Sequence, residues 1–144
     1  MDRMTKTELY AEYGSYHADP RNRLCHAFGI PLIVLGVLGL LASVRFGPID
    51  LAIPVAVLVL IYYATVSPRG ALVSLVLFAA LYLVAVHLTW AWSAAAFVVG
   101  WAFQLVGHRM EGNKPKFLEN LTYLAIGPLY FFEETYQEIT RVRR

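Results

Sequence analysis

The chain has 144 residues, a formal net charge of +2 and a hydrophobic content of 58%, with only 15% of residues charged; its mean hydropathy is +0.55. That is enough chain for one domain and too apolar for an ordinary soluble one, so the composition points to a membrane protein. No basic run suggests nucleic acid, and the single Cys25 excludes an internal disulfide and a multi-cysteine metal site.

Residues 1–23 hold Glu8, Glu12 and Asp19 and no apolar core, so they do not read as a signal peptide. Residues 4–17 pattern as an amphipathic helix. Leu9, Tyr13, Tyr16 and His17 fall on one side, Lys6 and Glu12 elsewhere, and Thr5 with Glu8 suits a capping box. Asp19 and Pro20 suit the N-cap and first position of a new helix, which carries Asn22 and His26 one turn apart on one face. Four spans are then expected, at about residues 24–45, 50–66, 70–92 and 93–110. Pro31 is placed to kink the first, while Gly29, Gly36 and Gly39 permit close helix approach. His87 is the polar exception in the third, and Trp90 and Trp92 suit the interfacial aromatic belt. Ser93 is expected to cap the fourth, which is short for a span. Beyond Lys114 and Pro115 the chain turns amphipathic. Gly127 and Pro128 are expected to divide it into helices at about 116–126 and 129–141, lying on or against the bundle, and Arg141, Arg143 and Arg144 suit anionic headgroups. The expected fold is all-α: one integral-membrane domain over 1–144, with about four transmembrane helices plus amphipathic N- and C-terminal helices.

Four crossings put both termini and the second turn on one side. That side then holds eleven of the twelve Lys and Arg residues, with Arg45 alone opposite, so it is expected to be cytoplasmic. The same arrangement gathers His17, Asn22, His26, His108, Glu111 and Glu133 at the cytoplasmic face and leaves His87 about one bilayer thickness of ~30 Å away. Gln104, His108 and Glu111, spaced by four and three, share one helix face. Polar groups aligned on an apolar helix need partners, because burying them alone costs free energy. Neutral imidazole is the commonest metal ligand, and two His with one carboxylate leave open positions on non-haem iron. His17, His26, His108, Glu111 and Glu133 supply enough ligands for one metal site. Asn22 and Gln104 suit outer positions, since amides bind transition metals poorly. Two other classes stay open: a haem-binding membrane cytochrome using two of these histidines, and a scaffold or transport protein without chemistry.

Tyr16 with His17, Asn22 with His26, then Gly29, Ile30 and Pro31 form one group of residues. Trp101, Gln104, Gly107, His108 and Glu111 form a second, and Gly127 and Pro128 with Glu133 a third. In this order, over nearly the whole chain, the set resembles the membrane-bound, iron(II)-dependent 2-hydroxy fatty acid dioxygenases of fatty-acid α-oxidation. The resemblance implies a polytopic helical protein that removes one carbon from a 2-hydroxy fatty acid using O2, with Fe(2+) held by His17, His26 and His108. Glu111 or Glu133 is then an additional ligand or an outer-sphere base, and Arg21, Arg23 or Arg109 a partner for the carboxylate head. The expected setting is a bacterial inner membrane or the endoplasmic reticulum; nothing in the sequence indicates an oligomeric state.

Overall fold

Local capping chemistry starts most helices of the computed structural model, which describes residues 4–115, 118 and 122–142. Helix α1 (Lys6–Ser15) opens with the expected box: the Glu8 amide donates to Thr5 Oγ1 at 3.3 Å and the Thr5 amide to Glu8 Oε2 at 2.7 Å. Helix α2 (Pro20–Ala42) starts on Asp19, whose carboxylate accepts the Arg21 amide at 2.8 Å, and continues through Pro31. A small antiparallel hairpin follows, β1 (Arg45–Phe46) with β2 (Ile49–Asp50), turning at Gly47 with φ +64°, a conformation open to glycine. Helices α3 (Ala52–Val66) and α4 (Pro68–Ala85) meet at Ser67, whose hydroxyl accepts the Gly70 amide at 3.1 Å. Buried Asp50 accepts the Ala52 amide at 2.9 Å and the Tyr82 hydroxyl at 2.5 Å, joining α3 to the far end of α4. Helix α5 (Trp90–Glu111) ends on Gly112 in the left-handed region, and α6 (Thr122–Val142) closes the chain.

Several expectations change here. Three helices, α2, α4 and α5, are long and apolar enough to cross a membrane, where four spans were expected. The short member is α3, not the 93–110 segment: its 15 residues reach only about 22 Å at ~1.5 Å per residue, against a core of ~30 Å. The last apolar segment is longer than expected because its cap is Thr89 rather than Ser93. Thr89 is extended and accepts the Trp92 amide, whereas Ser93 is buried and donates back to the Thr89 carbonyl at 3.0 Å. Trp90 and Trp92 therefore belong to the first turn of α5. Helix α6 runs unbroken through Gly127 and Pro128. Proline costs it one backbone bond, but Tyr123, Ile126, Leu129, Tyr130, Phe131 and Phe132 bury a continuous apolar face that outweighs the loss. Of the helix expected at 116–126, residues 116, 117 and 119–121 lie outside the described residues.

Helices α2 to α5 run back and forth between the same two ends of a bundle. The α3–α4 turn returns to the end occupied by α1 and α6: Tyr63 donates to the Ala125 carbonyl at 2.6 Å, and Gly70 packs on Glu133. The most extensive helix contact is α2 with α5. A Cβ on Gly100 would lie 2.7 Å from the Gly29 carbonyl, and one on Gly36 2.6 Å from the Phe97 amide, so these backbones touch only because glycine leaves the space. That crossing sets His26 and His108 at one level. Leu58, Ile61, Leu72, Val76, Leu83, Val98 and Leu105 are exposed on the outer faces, as lipid-facing residues are.

Candidate metal centre

His17 comes two residues after α1, His26 sits in the second turn of α2 and His108 in the last turn of α5. Docking of α1 onto α6, which itself packs on α2, brings the three rings together, with centroids 4.4 Å apart for His17 and His26, 4.9 Å for His17 and His108, and 4.8 Å for His26 and His108. They are only 3%, 1% and 4% exposed, respectively. One ligand nitrogen from each lies within 4.8 Å of the other two. Phe131 stacks on the His26 ring at 5.1 Å and Tyr13 on the His17 ring at 4.4 Å, holding both rings in place.

Hydrogen bonds define the tautomers. His17 Nδ1 lies 2.8 Å from the Tyr13 carbonyl and His26 Nδ1 2.9 Å from the Asn22 carbonyl. His108 Nδ1 lies 2.8 Å from Asn113 Oδ1, and the amide of Asn113 is oriented by its own donation to the Tyr16 carbonyl at 3.1 Å. Each partner is an acceptor, so each Nδ1 carries the proton and each Nε2 keeps its lone pair. The Nε2 atoms of His17 and His26 face one another at 3.0 Å. Two lone pairs at that distance repel unless a cation lies between them. Two metal–nitrogen bonds of ~2.1 Å at a right angle put their donors about 3.0 Å apart, so the residues present fit one ion. Proton-bearing Nδ1 atoms held by oxygen acceptors are also the usual outer support of histidine ligands. Burial pushes the His17 imidazole down to about 4, which keeps it neutral and ligand-ready at ordinary pH. The same closeness leaves no room for a porphyrin plane between the rings, which argues against the haem alternative.

The carboxylates lie elsewhere. Glu111 accepts the Ala18 amide at 2.7 Å through Oε1 and the Asn22 side-chain amide at 2.5 Å through Oε2, so it ties the start of α2 to the end of α5. Asn22 also donates to the Tyr16 carbonyl at 3.2 Å, and it is fully buried, as an outer position predicts. Glu133, equally buried, takes Lys6 Nζ at 2.5 Å and the Tyr10 hydroxyl at 2.6 Å. Burial opposes its ionisation, but the bonds from Lys6, Tyr10 and Ser67 outweigh that and hold its carboxyl below the usual range. Neither glutamate joins the three histidines among the described residues. Arg109 is exposed; Arg21 pairs with Asp19 at 2.9 Å and Arg23 with Glu138 at 2.5 Å. His87 is exposed in the connection between α4 and α5, well away from the group. Sequence reasoning missed Asn113 and Phe131. Asn113 directly follows the helix-ending Gly112, and its backbone N–H bonds back to the His108 carbonyl at 3.2 Å, as is usual just past a glycine cap.

Beside the histidines is a cavity of about 60 Å³, bordered by Tyr13, Ile30, Ile33, Trp101 and Gln104 among others. It has room for a few water-sized groups.

Residues 4–139 match the family described as "2-hydroxy-palmitic acid dioxygenase Mpo1-like". The chain is also similar to a Saccharomyces cerevisiae protein named 2-hydroxy-palmitic acid dioxygenase MPO1, at 32% identity over 125 residues, covering 83% of this chain and 72% of the yeast protein. No solved structure matches it.

Proposed function

The chain belongs to the Mpo1-like family of 2-hydroxy-palmitic acid dioxygenases, and from that membership we propose that it is an iron(II)-dependent dioxygenase shortening 2-hydroxy fatty acids by one carbon. The observation that carries the proposal is the set of three buried histidines, each with Nδ1 committed to an oxygen acceptor and with the Nε2 atoms of His17 and His26 facing one another. His17, His26 and His108 would hold the ion. When bound, iron(II) supplies Lewis acidity and the redox chemistry toward O2 that no side chain offers.

The chain's own residues do the rest. The carbonyls of Tyr13 and Asn22 and the amide of Asn113 fix the imidazole orientations. Glu111 acts through Asn22, locking the two helix ends that carry His26 and His108. Glu133 acts through α1, holding the element that delivers His17. Phe131 and Tyr13 exclude water from the imidazole faces. Arg109, exposed one residue after His108, is available to a carboxylate approaching from the aqueous side.

The setting we propose is an integral-membrane bundle crossing four times, with both termini and the histidines on the cytoplasmic side. Support comes from the back-and-forth run of α2 to α5 and from the location at that end of every described Lys and Arg except Arg45. A fatty acid then keeps its tail at bilayer depth while its head reaches the histidines.

The test compares purified protein with its His17→Ala, His26→Ala and His108→Ala variants. Metal content and O2-dependent shortening of a 2-hydroxy fatty acid should both fall sharply in each. Retention of metal and turnover in all three would overturn the reading.

A further inference from the structure

Among the described residues bordering the histidine cavity, Gln104 carries a fully buried side-chain nitrogen that is left without a partner. Its side chain is 6% exposed, and its Nε2 has no hydrogen-bond partner among the described residues. A buried amide donor left unpaired costs free energy comparable to a lost hydrogen bond, so its persistence needs a ligand that accepts from it. Its position tells which part of a ligand that is. Along α5 the cavity is bordered by His108, then Gln104 one turn deeper, then Trp101; along α2 it is bordered by His26, then Ile30 and Ile33. The lining therefore changes from imidazole to hydrocarbon with depth, and Gln104 stands at the step. A Cβ on Gly29 would come within 2.8 Å of this Nε2, so the glycine leaves the amide its place at that step.

Resting on the dioxygenase reading, we propose that Gln104 is a specificity-determining residue whose Nε2–H donates to the C2 oxygen of the substrate. In a 2-hydroxy acid the carboxylate is the terminal group and the C2 oxygen lies next to the tail. With the head toward the histidines and the first tail carbons toward Ile33 and Trp101, the C2 oxygen is the acceptor that falls at the level of Gln104. A fatty acid without that oxygen leaves the amide unpaired, which is the arrangement by which a site rejects an analogue lacking one polar group.

The test measures equilibrium binding of two acids of equal chain length, 2-hydroxypalmitic and palmitic acid, to zinc-loaded protein, where no turnover occurs. Wild type is expected to prefer the hydroxy acid. Gln104→Met keeps the length and lacks the donor; Gln104→Glu keeps polarity and presents acceptors. Both should lose about ten- to hundredfold in affinity for the hydroxy acid, change little toward palmitic acid, and keep full metal content. Equal loss toward both acids, no loss toward either, or metal loss like that of His108→Ala would overturn the assignment while leaving the dioxygenase reading in place. If wild type in every metal form binds no 2-hydroxy acid, the reading and the inference fall together.

Discussion

Each histidine of the centre is fixed by an acceptor that the chain supplies locally. For His17 and His26 this is the carbonyl four residues earlier, so helix geometry alone orients the ring. For His108 it is the side chain of Asn113, five residues later and beyond the helix end. Asn113→Ala should therefore lower metal affinity by about 10- to 100-fold while leaving the fold intact, and Asn22→Ala should do similarly; titration with a competing chelator measures both. His17 also makes stability depend on pH. Its folded value is about 4 against an ordinary 6.5, so between these values the unfolded chain binds a proton that the folded chain does not. Its contribution is full above 6.5 and is lost as pH falls toward 4. The Tm of metal-free protein should drop across that window and drop less in His17→Gln. A flat Tm in wild type would contradict the buried, neutral imidazole. The sequence showed these histidines as candidates, and it showed Asn22 and Gln104 on their helix faces. It could not show that Glu133 turns to Lys6, because a partner 127 residues away leaves no periodic trace.

Helix approach decides whether the ligands meet. Gly29 and Gly100 let α2 and α5 touch backbone to backbone, one turn below His26 and two turns below His108. Gly100→Ala should push the pair apart, with a lowered Tm and much weaker metal binding although no ligand is changed; unchanged metal affinity would show that the crossing tolerates separation. The Lys6–Glu133 contact does the corresponding work for α1. Glu133 is wholly buried while Lys6 is about a third exposed. Removing the lysine strands a buried carboxylate, whereas removing the carboxylate frees a lysine that can reach water. Lys6→Met should thus destabilise more than Glu133→Gln, by about 1–3 kcal/mol, and should also weaken metal binding through His17. Equal effects of the two substitutions on unfolding would remove this asymmetry. Glycines spaced along an apolar helix signalled close packing in advance; which helix they received was not readable.

At the scale of the whole molecule, the proposed topology has a 15-residue α3 share a bilayer with longer neighbours. Its two ends are tied to the two ends of the bundle, by Asp50 with Tyr82 at one and Tyr63 with Ala125 at the other. The four crossings proposed above would require the bilayer to thin locally around α3. Single cysteines introduced at Met4 and Gln137, in a Cys25→Ser background, should label from the same side, and one at Phe46 from the opposite side. Labelling of Met4 and Gln137 from opposite sides would sink the topology.

The sequence by itself determined that the chain is helical and apolar, that Gln104, His108 and Glu111 share one helix face, and where α1 and α2 begin. These properties are local: hydropathy, periodicity and caps act within a few residues of their cause. It also carried the family, because motif residues keep their order along the chain. Tertiary structure alone decided which polar groups the histidines and glutamates use. It left the imidazole nitrogens facing one another and gave Glu133 to α1. It carried α6 through Pro128 because the buried face of Tyr123 to Phe132 outweighs one lost backbone bond. It isolated the Gln104 amide at the edge of the cavity. Those outcomes depend on which surfaces meet, and burial energies between distant elements are written in no single stretch of chain.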